Sequence, residues 1–219
     1  MDTVWRVDAH QHFWRFDPAA YGWIGDDMAV LKRDFLPAEL RFELDIRHIG
    51  GSVAVQARAS EAETDFLLGL AAANPWILGV VGWIDLRAGD LEARLEARAS
   101  SSVLKGYRHQ VQDEPSPSAF LEDGRFNRGV ETLQRGARST RSWSTRKDLP
   151  AAIAFCGRHD LGPLVLDHSA SRTSGMRARR SGPGASAPAR GAGACELQAV
   201  RADHRSPLAR LGRAGFAPI

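Results

Sequence analysis

Asp8, His10 and His12, close to the start of the chain, have side chains that can bind a divalent metal ion. They alternate in the string DAHQH, and alternate residues of a β-strand project from the same face. Two imidazoles at positions i and i+2, at the carboxyl end of a strand, can chelate one metal ion. Two polar residues that simply leave a strand would give the same string, so the string alone leaves both interpretations open.

Two later histidines share the placement of this pair. His109 and His168 each follow an apolar run, in the strings LKGYRHQV and LGPLVLDH. Active sites of parallel barrels lie at the carboxyl ends of the strands, where histidines from several strands can meet. We therefore expect a metal or acid/base site at these strand ends. The histidines at positions 48, 159 and 204 lack this placement and are predicted to lie on the surface or in linkers.

The elements that must position these histidines alternate between strand and helix, a pattern typical of a parallel α/β fold. Strands are predicted over residues 4–9, 51–57, 77–84, 104–111 and 161–168. Helices are predicted to start near residues 37 and 60, the second capped by Ser60, and to span 90–99, 126–134 and 147–156. A strand is due between the last two helices, but residues 135–146 have neither a helical nor a strand period.

Composition divides the chain at residue 168. Over residues 169–219 nine arginines face only Glu196 and Asp203, a net charge of +7, and because the whole chain carries +3, residues 1–168 carry −4. The second segment is rich in Arg, Gly, Ala, Ser and Pro, which predicts a disordered basic tail. We interpret residues 1–168 as one globular portion that is irregular over 135–146.

General features of the sequence predict a cytoplasmic protein of one domain. A length of 219 residues suits one sizeable core. No apolar run approaches the roughly 18 residues that a membrane span needs, so no membrane partner is expected. The chain does not start with a basic and then apolar segment, and its two cysteines form no CxxC pair. Both features favour a reduced cytoplasmic setting.

Five strings resemble the lactonases of amidohydrolase-related family 2, within the amidohydrolase superfamily: DAHQHFW, VAVQAR, GVVGWIDL, KGYRHQVQDEP and LVLDH. The resemblance covers residues 4–134 and 147–168, and it points to enzymes of carbohydrate metabolism that open fuconolactone, rhamnonolactone and related lactones. It implies an α/β fold, an incomplete (β/α)8 TIM-type barrel of the metal-dependent hydrolase type. It also implies one divalent metal ion, often zinc, which some members lack.

The same resemblance implies roles for individual residues. It assigns His10, His12 and His168 to the metal ion, and it makes His109, Arg108 and His168 the catalytic set, with Arg108 and His109 contacting the lactone or its carboxylate. Water would attack a polarised lactone carbonyl, with an acidic residue of the last strand as general base. The Gly-Ser-Asp-Trp-like motif that carries this base in the family has no match here. We therefore expect the seventh and eighth strands to be absent and the chain to be inactive as written.

Four further residues are predicted to bind the substrate, each with a structural alternative. Trp14 and Tyr21, together with Trp23, could line a sugar pocket, or they could cover the barrel mouth and pack the loop. Gln112 and Glu114 could belong to the site, or they could form a polar turn that caps a helix.

Two stretches fit the family better in another reading frame. Codons that encode STRSWST at 139–145 can be read in another frame as Tyr-Glu-Ile-Leu-Val-Tyr-Pro, an apolar strand where the fifth strand is due. Codons for ELQAVRADHRS at 196–206 can be read as Ser-Cys-Lys-Leu-Ser-Gly-Leu-Ile-Thr-Glu-Ala, which resembles the family's seventh-strand segment. The hypothesis is that both stretches are translated out of frame. An open barrel exposes apolar edges, so poor solubility is expected.

Two alternative functions remain. A metal-dependent decarboxylase of the same superfamily shares the His-x-His strand, and turnover of aromatic acids without turnover of lactones would favour it. A nucleic-acid-binding protein could use the arginine-rich tail, and salt-sensitive binding that is lost on deleting 169–219 would favour it. The tail has one aromatic residue, Phe216, and no recognisable module, which disfavours nucleic acid as a partner.

Overall fold

The protein is described by a computed structural model that covers residues 6–136, 139–145, 149–171 and 195–197. Its described residues fall into two compact units, one that ends at His109 and one that begins at Gln110. Within the described ranges, no helix has both the length and the apolar character needed to cross a membrane. The predicted tail, 169–219, lies outside the described residues except for six strand residues, so its disorder and the boundary at 168 stay predictions.

The first unit alternates four strands with three helices. Its elements are β1 (Val7–Gln11), α1 (Pro37–Ile46), β2 (Gly51–Val55), α2 (Glu61–Ala73), β3 (Ile77–Gly82), α3 (Leu91–Glu96) and β4 (Leu104–His109). Each strand pairs in parallel with the next, in the order β1-β2-β3-β4. All four strands were predicted, and the carboxyl ends of neighbouring strands therefore lie at one edge of this sheet.

Strands β2 and β3 form the buried centre of this unit. Most of their residues are buried, which agrees with the nearly unbroken apolar runs in the sequence. Helix α2 packs on β3 at Gly82, where an added Cβ would lie 2.5 Å from Thr64 Cγ2. The Thr64 hydroxyl also donates to the carbonyl of Trp83 and accepts from its backbone N–H, both at 2.8 Å. A glycine is thus needed where the helix touches the strand.

A long loop between β1 and α1 has its own small core. Trp14 and Phe35 exchange two backbone hydrogen bonds of 3.0 and 2.9 Å, which hold the two ends of the loop together. Trp14, Tyr21, Ile24 and Ala57 form a buried cluster at its centre. This loop therefore packs against the residues that follow β2.

The second unit contains helices α4 (Pro117–Glu122), α5 (Gly124–Arg135) and α6 (Leu149–Arg158), and strands β5 (Ser139–Thr145), β6 (Leu164–Ser171) and β7 (Cys195–Leu197). Asp123 caps α5, because its side chain accepts from the backbone N–H groups of Arg125 and Phe126. Both β5 and β7 pair in parallel with β6.

Strands β5 and β7 are the main departures from the sequence prediction. The alternation of elements required a strand near 140, and β5 forms there although residues 135–146 were interpreted as irregular. The predicted absence of a seventh strand is wrong, because Cys195–Leu197 pairs with Leu164–Leu166. Backbone N–H and C=O groups at a strand edge can pair whatever the side chains are, which a search for apolar periodicity does not detect.

His159 is also placed differently from the prediction. It was expected at the surface or in a linker, but only 3% of it is exposed. Its Nε2 donates to Asn127 Oδ1 over 2.7 Å, and its ring centroid lies 4.5 Å from that of Phe155. Burial lowers the pKa of His159, so the neutral ring is favoured. His159 is therefore a core residue of the second unit.

Candidate metal centre

Two histidines at the carboxyl end of β1, His10 and His12, face each other with their Nε2 atoms 3.2 Å apart. His10 lies in the strand and His12 follows its last residue, Gln11. The rings meet edge to face, with centroids 4.8 Å apart. The alternation in the sequence predicted this shared face.

A backbone carbonyl fixes the tautomer of His12. Its Nδ1 lies 2.8 Å from the carbonyl oxygen of Val55, at the end of β2. Because a carbonyl oxygen only accepts, Nδ1 must carry the proton, and Nε2 of the neutral ring keeps its lone pair. The lone pair of His12 therefore points towards His10.

Arg108, in β4, contacts the other histidine of the pair. Its Nη1 lies 3.4 Å from His10 Nε2, and because a guanidinium only donates, that nitrogen accepts. Arg108 is 3% exposed. Its Nη1 donates to the backbone carbonyl of Gln56, and the Gln56 side-chain amide donates to the backbone carbonyl of Arg108, both over 3.2 Å. A buried cation next to two imidazole lone pairs can attract an anionic or carbonyl oxygen.

The geometry of the pair fits a divalent metal ion. Two Zn–N bonds of about 2.0–2.1 Å span a nitrogen separation of 3.2 Å when the angle between them is about 100°, near the tetrahedral value. Two imidazole nitrogens that both accept would repel each other at this distance unless a cation lay between them. Among the residues searched, those that the structure describes, no group of three or more His, Cys, Asp or Glu is arranged to hold a metal ion. The spacing of the pair is one that two ligands of such a site would need.

Asp8 supports the pair from the same strand. Its Oδ1 accepts from the backbone N–H of His10 over 3.2 Å. Burial raises the pKa of Asp8, and the hydrogen bond from the backbone N–H of His10 lowers it by a smaller amount. This contact places Asp8 against the backbone of the pair.

Trp14 and Tyr21 are packed inside the loop between β1 and α1. They are 6% and 3% exposed, whereas Trp23 is 48% exposed. The Trp14 indole N–H donates to the carbonyl of Arg33 over 2.9 Å, and the Tyr21 hydroxyl donates to Glu63 over 3.3 Å. These contacts are those of loop packing, the alternative interpretation, and binding of substrate by either residue stays a prediction.

The remaining predicted residues are placed in their own elements. His109 is the last residue of β4, as predicted. Gln112 lies in a 3-10 helix of the second unit, and Glu114 follows that helix in extended conformation. His168 lies inside β6, three residues before its end, and its side chain is outside the described part. The structure thus brings together His10, His12 and Arg108, all within the first unit.

Gln56 and Glu63 were missed by the sequence analysis. Both are fully buried polar residues at the end of β2 and the start of α2. Gln56 bonds to Arg108, and Glu63 accepts from the backbone N–H groups of Ala57 and Arg58. A usable signal was present for Gln56, because it is polar and directly follows the apolar run VAV. Glu63 looked like an ordinary capping residue of a helix.

Known proteins resemble the chain over three quarters of its length. An L-fucono-1,5-lactonase of Burkholderia multivorans is 48% identical over 164 residues, which cover 75% of this chain and 55% of that protein. An L-fucono-1,5-lactonase of Burkholderia ambifaria is 28% identical over 167 residues, covering 76% and 57%. The chain therefore spans a little over half the length of these curated relatives.

Solved structures agree in fold. A crystal structure of an amidohydrolase from Burkholderia multivorans with bound Zn matches with a TM-score of 0.73 and 47% identity, over 76% of this chain and 58% of that one. A 2,6-dihydroxybenzoate decarboxylase from Rhizobium matches with a TM-score of 0.53 at 13% identity, over 75% and 66%, and at this identity the likeness shows the fold alone. The predicted α/β class, an incomplete TIM-type barrel, is confirmed.

A model of one protein family covers most of the sequence. The family described as Amidohydrolase matches residues 7–180, which include β1 with its histidine pair and β4 with Arg108. The chain therefore belongs to the amidohydrolase family.

Proposed function

We propose that this chain carries the metal-binding residues of a hydrolase that opens sugar-acid lactones. The observation that carries the proposal is the 3.2 Å separation of the His10 and His12 Nε2 atoms, with the tautomer of His12 fixed by Val55. The two relatives named L-fucono-1,5-lactonase support a lactone as the substrate. The relative whose crystal structure has bound Zn supports zinc as the metal.

The proposed roles follow from the chemistry of each residue. His10 and His12 would hold the metal ion, with His168 as a further ligand. A bound divalent ion would supply Lewis acidity towards the lactone carbonyl. Arg108, buried and next to His10, would bind the carbonyl oxygen or the carboxylate of the ring-opened product. His109 would contact the same substrate from the end of β4.

Activation of water is the step for which this sequence offers no assigned residue. The family resemblance gives it to an acidic residue in a Gly-Ser-Asp-Trp-like motif, and the sequence has no such motif. Without a general base, proton removal from the attacking water loses a contribution of about 10²–10⁴-fold. We therefore propose zinc binding with little or no lactone turnover by this chain.

Zinc titration of the full chain tests the proposal. Replacing His10 or His12 with Asn should weaken zinc binding by about a hundredfold or more, because each change removes one of the bonds to the ion. His48→Asn is the matched control, since His48 is exposed and its φ of 54° is one that Asn tolerates. Equal zinc affinity in all three variants would refute the proposed metal site.

Turnover assays then test the substrate class. The zinc-loaded chain is assayed with L-fucono-1,5-lactone and with 2,6-dihydroxybenzoate. Slow lactone opening that His12→Asn abolishes would support the proposal. Release of carbon dioxide from the aromatic acid, without lactone opening, would instead favour a decarboxylase.

A further inference from the structure

The segment that follows β2 supplies two backbone carbonyls to the candidate metal centre. The Val55 carbonyl accepts from His12 Nδ1 over 2.8 Å, and the Gln56 carbonyl accepts from Arg108 Nη1 over 3.2 Å. A shift of this segment would therefore move the partner that fixes the His12 tautomer and the partner that holds Arg108. What holds the segment in place is part of the site.

Sheet pairing holds only the beginning of this segment. Strand β2 ends at Val55, and the backbone N–H of Gln56 makes one further bond of 2.8 Å to the Val81 carbonyl. From Ala57 onwards the chain turns towards α2, and the backbone N–H groups of Ala57 and Arg58 donate to a side chain. That side chain is Glu63, in the first turn of α2.

The Glu63 carboxylate gathers four donors in a buried position. Its Oε1 accepts from the backbone N–H of Ala57 in a short bond and from that of Arg58 over 3.2 Å. Its Oε2 accepts from Arg58 Nε over 2.8 Å and from the Tyr21 hydroxyl over 3.3 Å. Glu63 itself is 0% exposed, so these bonds are shielded from water.

This carboxylate is not used as a helix cap. Ser60 occupies the N-cap position of α2, and a Glu three residues later would complete a capping box by bonding back to the Ser60 backbone N–H. The Ser60 N–H instead donates to the Arg58 carbonyl over 3.0 Å, and the Ser60 side chain makes no capping bond. Glu63 is turned towards the segment that follows β2 and the loop that carries Tyr21.

We propose that Glu63 is a positioning residue of the metal centre, which fixes the Val55 and Gln56 carbonyls and through them His12 and Arg108. The inference deepens the proposed function, because it names what sets the geometry of one metal ligand. The connection is short, since Ala57 lies two residues from Val55. Glu63 also accepts from Tyr21, which belongs to the buried cluster of the loop between β1 and α1. The packing of that loop would therefore affect the geometry of the metal centre.

The test measures the His12 tautomer directly. In the metal-free full chain with ¹⁵N-labelled histidine, NMR at a pH where imidazole is neutral distinguishes Nδ1–H from Nε2–H rings. The wild type should show His12 as the Nδ1–H tautomer. Glu63→Gln should convert this signal to a mixture of tautomers, because an amide has a single acceptor oxygen and cannot accept from the donors at both Oε1 and Oε2. It should also weaken zinc binding about 10–100-fold, the usual cost of losing an outer partner.

Glu61→Gln is the matched control. Glu61 lies in the same first turn of α2, but it pairs with Arg94 and Arg98 at the surface, both within 2.9 Å. The control should therefore leave the His12 signal unchanged. If Glu63→Gln is folded by circular dichroism and keeps a pure Nδ1–H signal, the inference is wrong. If Glu63→Gln does not fold, Glu63→Asp is the second variant, because it retains the charge but withdraws the carboxylate from the segment. It should likewise give a mixture of His12 tautomers and weaker zinc binding, and a pure Nδ1–H signal would refute the inference.

This readout is independent of the proposed function. The tautomer is measured without metal and without lactone, so a failure to turn over lactone would leave the result interpretable. Conversely, the chain could bind zinc and open lactone while Glu63→Gln leaves the His12 tautomer signal unchanged. That result would support the proposed function and refute the positioning role of Glu63.

Discussion

Tyr21 is one of two tyrosines in the chain, and its surroundings make its ionisation measurable. Burial first, and then the neighbouring Glu63 carboxylate, raise the pKa of Tyr21 from 10.0 to about 12. In a Tyr107→Phe variant only Tyr21 remains, and we expect its ultraviolet tyrosinate signal to be largely absent at pH 11. A free tyrosine would be about 90% ionised there.

The sign of this shift gives a dependence of stability on pH. Because the folded state holds the phenol proton more tightly, the stability contributed by neutral Tyr21 is complete below about pH 10 and is lost as the pH rises through about 12. Glu63→Gln removes a negative charge next to the phenol and should move the titration of Tyr21 back towards 10. A Tyr21 that titrates at its ordinary pKa in a folded sample would contradict the buried contact with Glu63.

At the residue scale, the sequence predicted the histidine pair better than the residues that support it. His10 and His12 could be paired from their spacing alone, because strand geometry puts alternate residues on one face. Gln56 gave a signal of burial, since it directly follows an apolar run, but the roles of Gln56 and Glu63 depend on backbone groups of other strands and loops. A carboxylate three residues into a helix is ordinarily a cap, and only the fold shows that this one bonds elsewhere.

The contact between α2 and β3 provides a prediction at the scale of elements. Gly82→Ala would place a Cβ 2.5 Å from Thr64 Cγ2 and 2.6 Å from its Oγ1, the atom that bonds Trp83. Helix and strand would have to separate, so we expect the free energy of unfolding to fall by about 1–3 kcal/mol. Urea denaturation measures the loss.

Gly69→Ala is the matched control for this change. Gly69 is exposed in the middle of the same helix, and an added Cβ there meets no atom within 4 Å. Because glycine destabilises the interior of a helix relative to alanine, this substitution should stabilise the protein by about 0.5–1 kcal/mol.

A double variant tests whether the clash causes the loss. In Gly82→Ala combined with Thr64→Ala the side chain that clashes is shortened, so the combined loss of stability should be smaller than the sum of the two single losses. A Gly82→Ala chain as stable as the wild type would show that α2 does not press on β3.

Elements with a strong period were predicted well, and those without one were not. Strands β2 and β3 have unbroken apolar runs, which match their burial in the sheet. Strand β7 is three residues long and β5 has the sequence STRSWST, so neither offers a period to detect. The surface position predicted for His159 was wrong because a lone histidine after a helix gives no sign of its ring packing against Phe155.

At the scale of the whole molecule, family membership and the completeness of the barrel are separate matters. The family match extends over residues 7–180. The described residues include four strands in the first unit and three in the second, and the strand pairs described within each unit are parallel. The chain nevertheless covers only 55% of a lactonase that is 48% identical to it. Closure of a barrel removes every strand edge, whereas an open barrel leaves edge strands exposed. The poor solubility expected from such exposed edges stays a prediction for this chain.

The irregular stretches give a prediction about the coding DNA. Helices α5 and α6 and strand β6 follow in barrel order around residues 139–145. The segment STRSWST nevertheless has no Val, Ile or Leu, the residues that dominate buried parallel strands, and Trp143 is its one apolar residue. We expect genomic sequencing to find single-base insertions or deletions that restore Tyr-Glu-Ile-Leu-Val-Tyr-Pro near residue 140. The corrected frame should also encode a Lys-Leu-Ser-Gly strand near 197 and, downstream, a Gly-Ser-Asp-Trp-like motif.

The codons over residues 51–82 serve as the internal control for this prediction. That region encodes β2 and β3, whose apolar runs already match buried strands, so its frame should need no correction. Discovery of the downstream aspartate would supply the missing general base, and the repaired protein should then open lactones far faster than this chain, by the roughly 10²–10⁴-fold that a general base contributes. If the genomic codons spell STRSWST in the same frame as β2 and β3, the frame hypothesis fails. Strand β5 would then be a genuine polar strand of this family member.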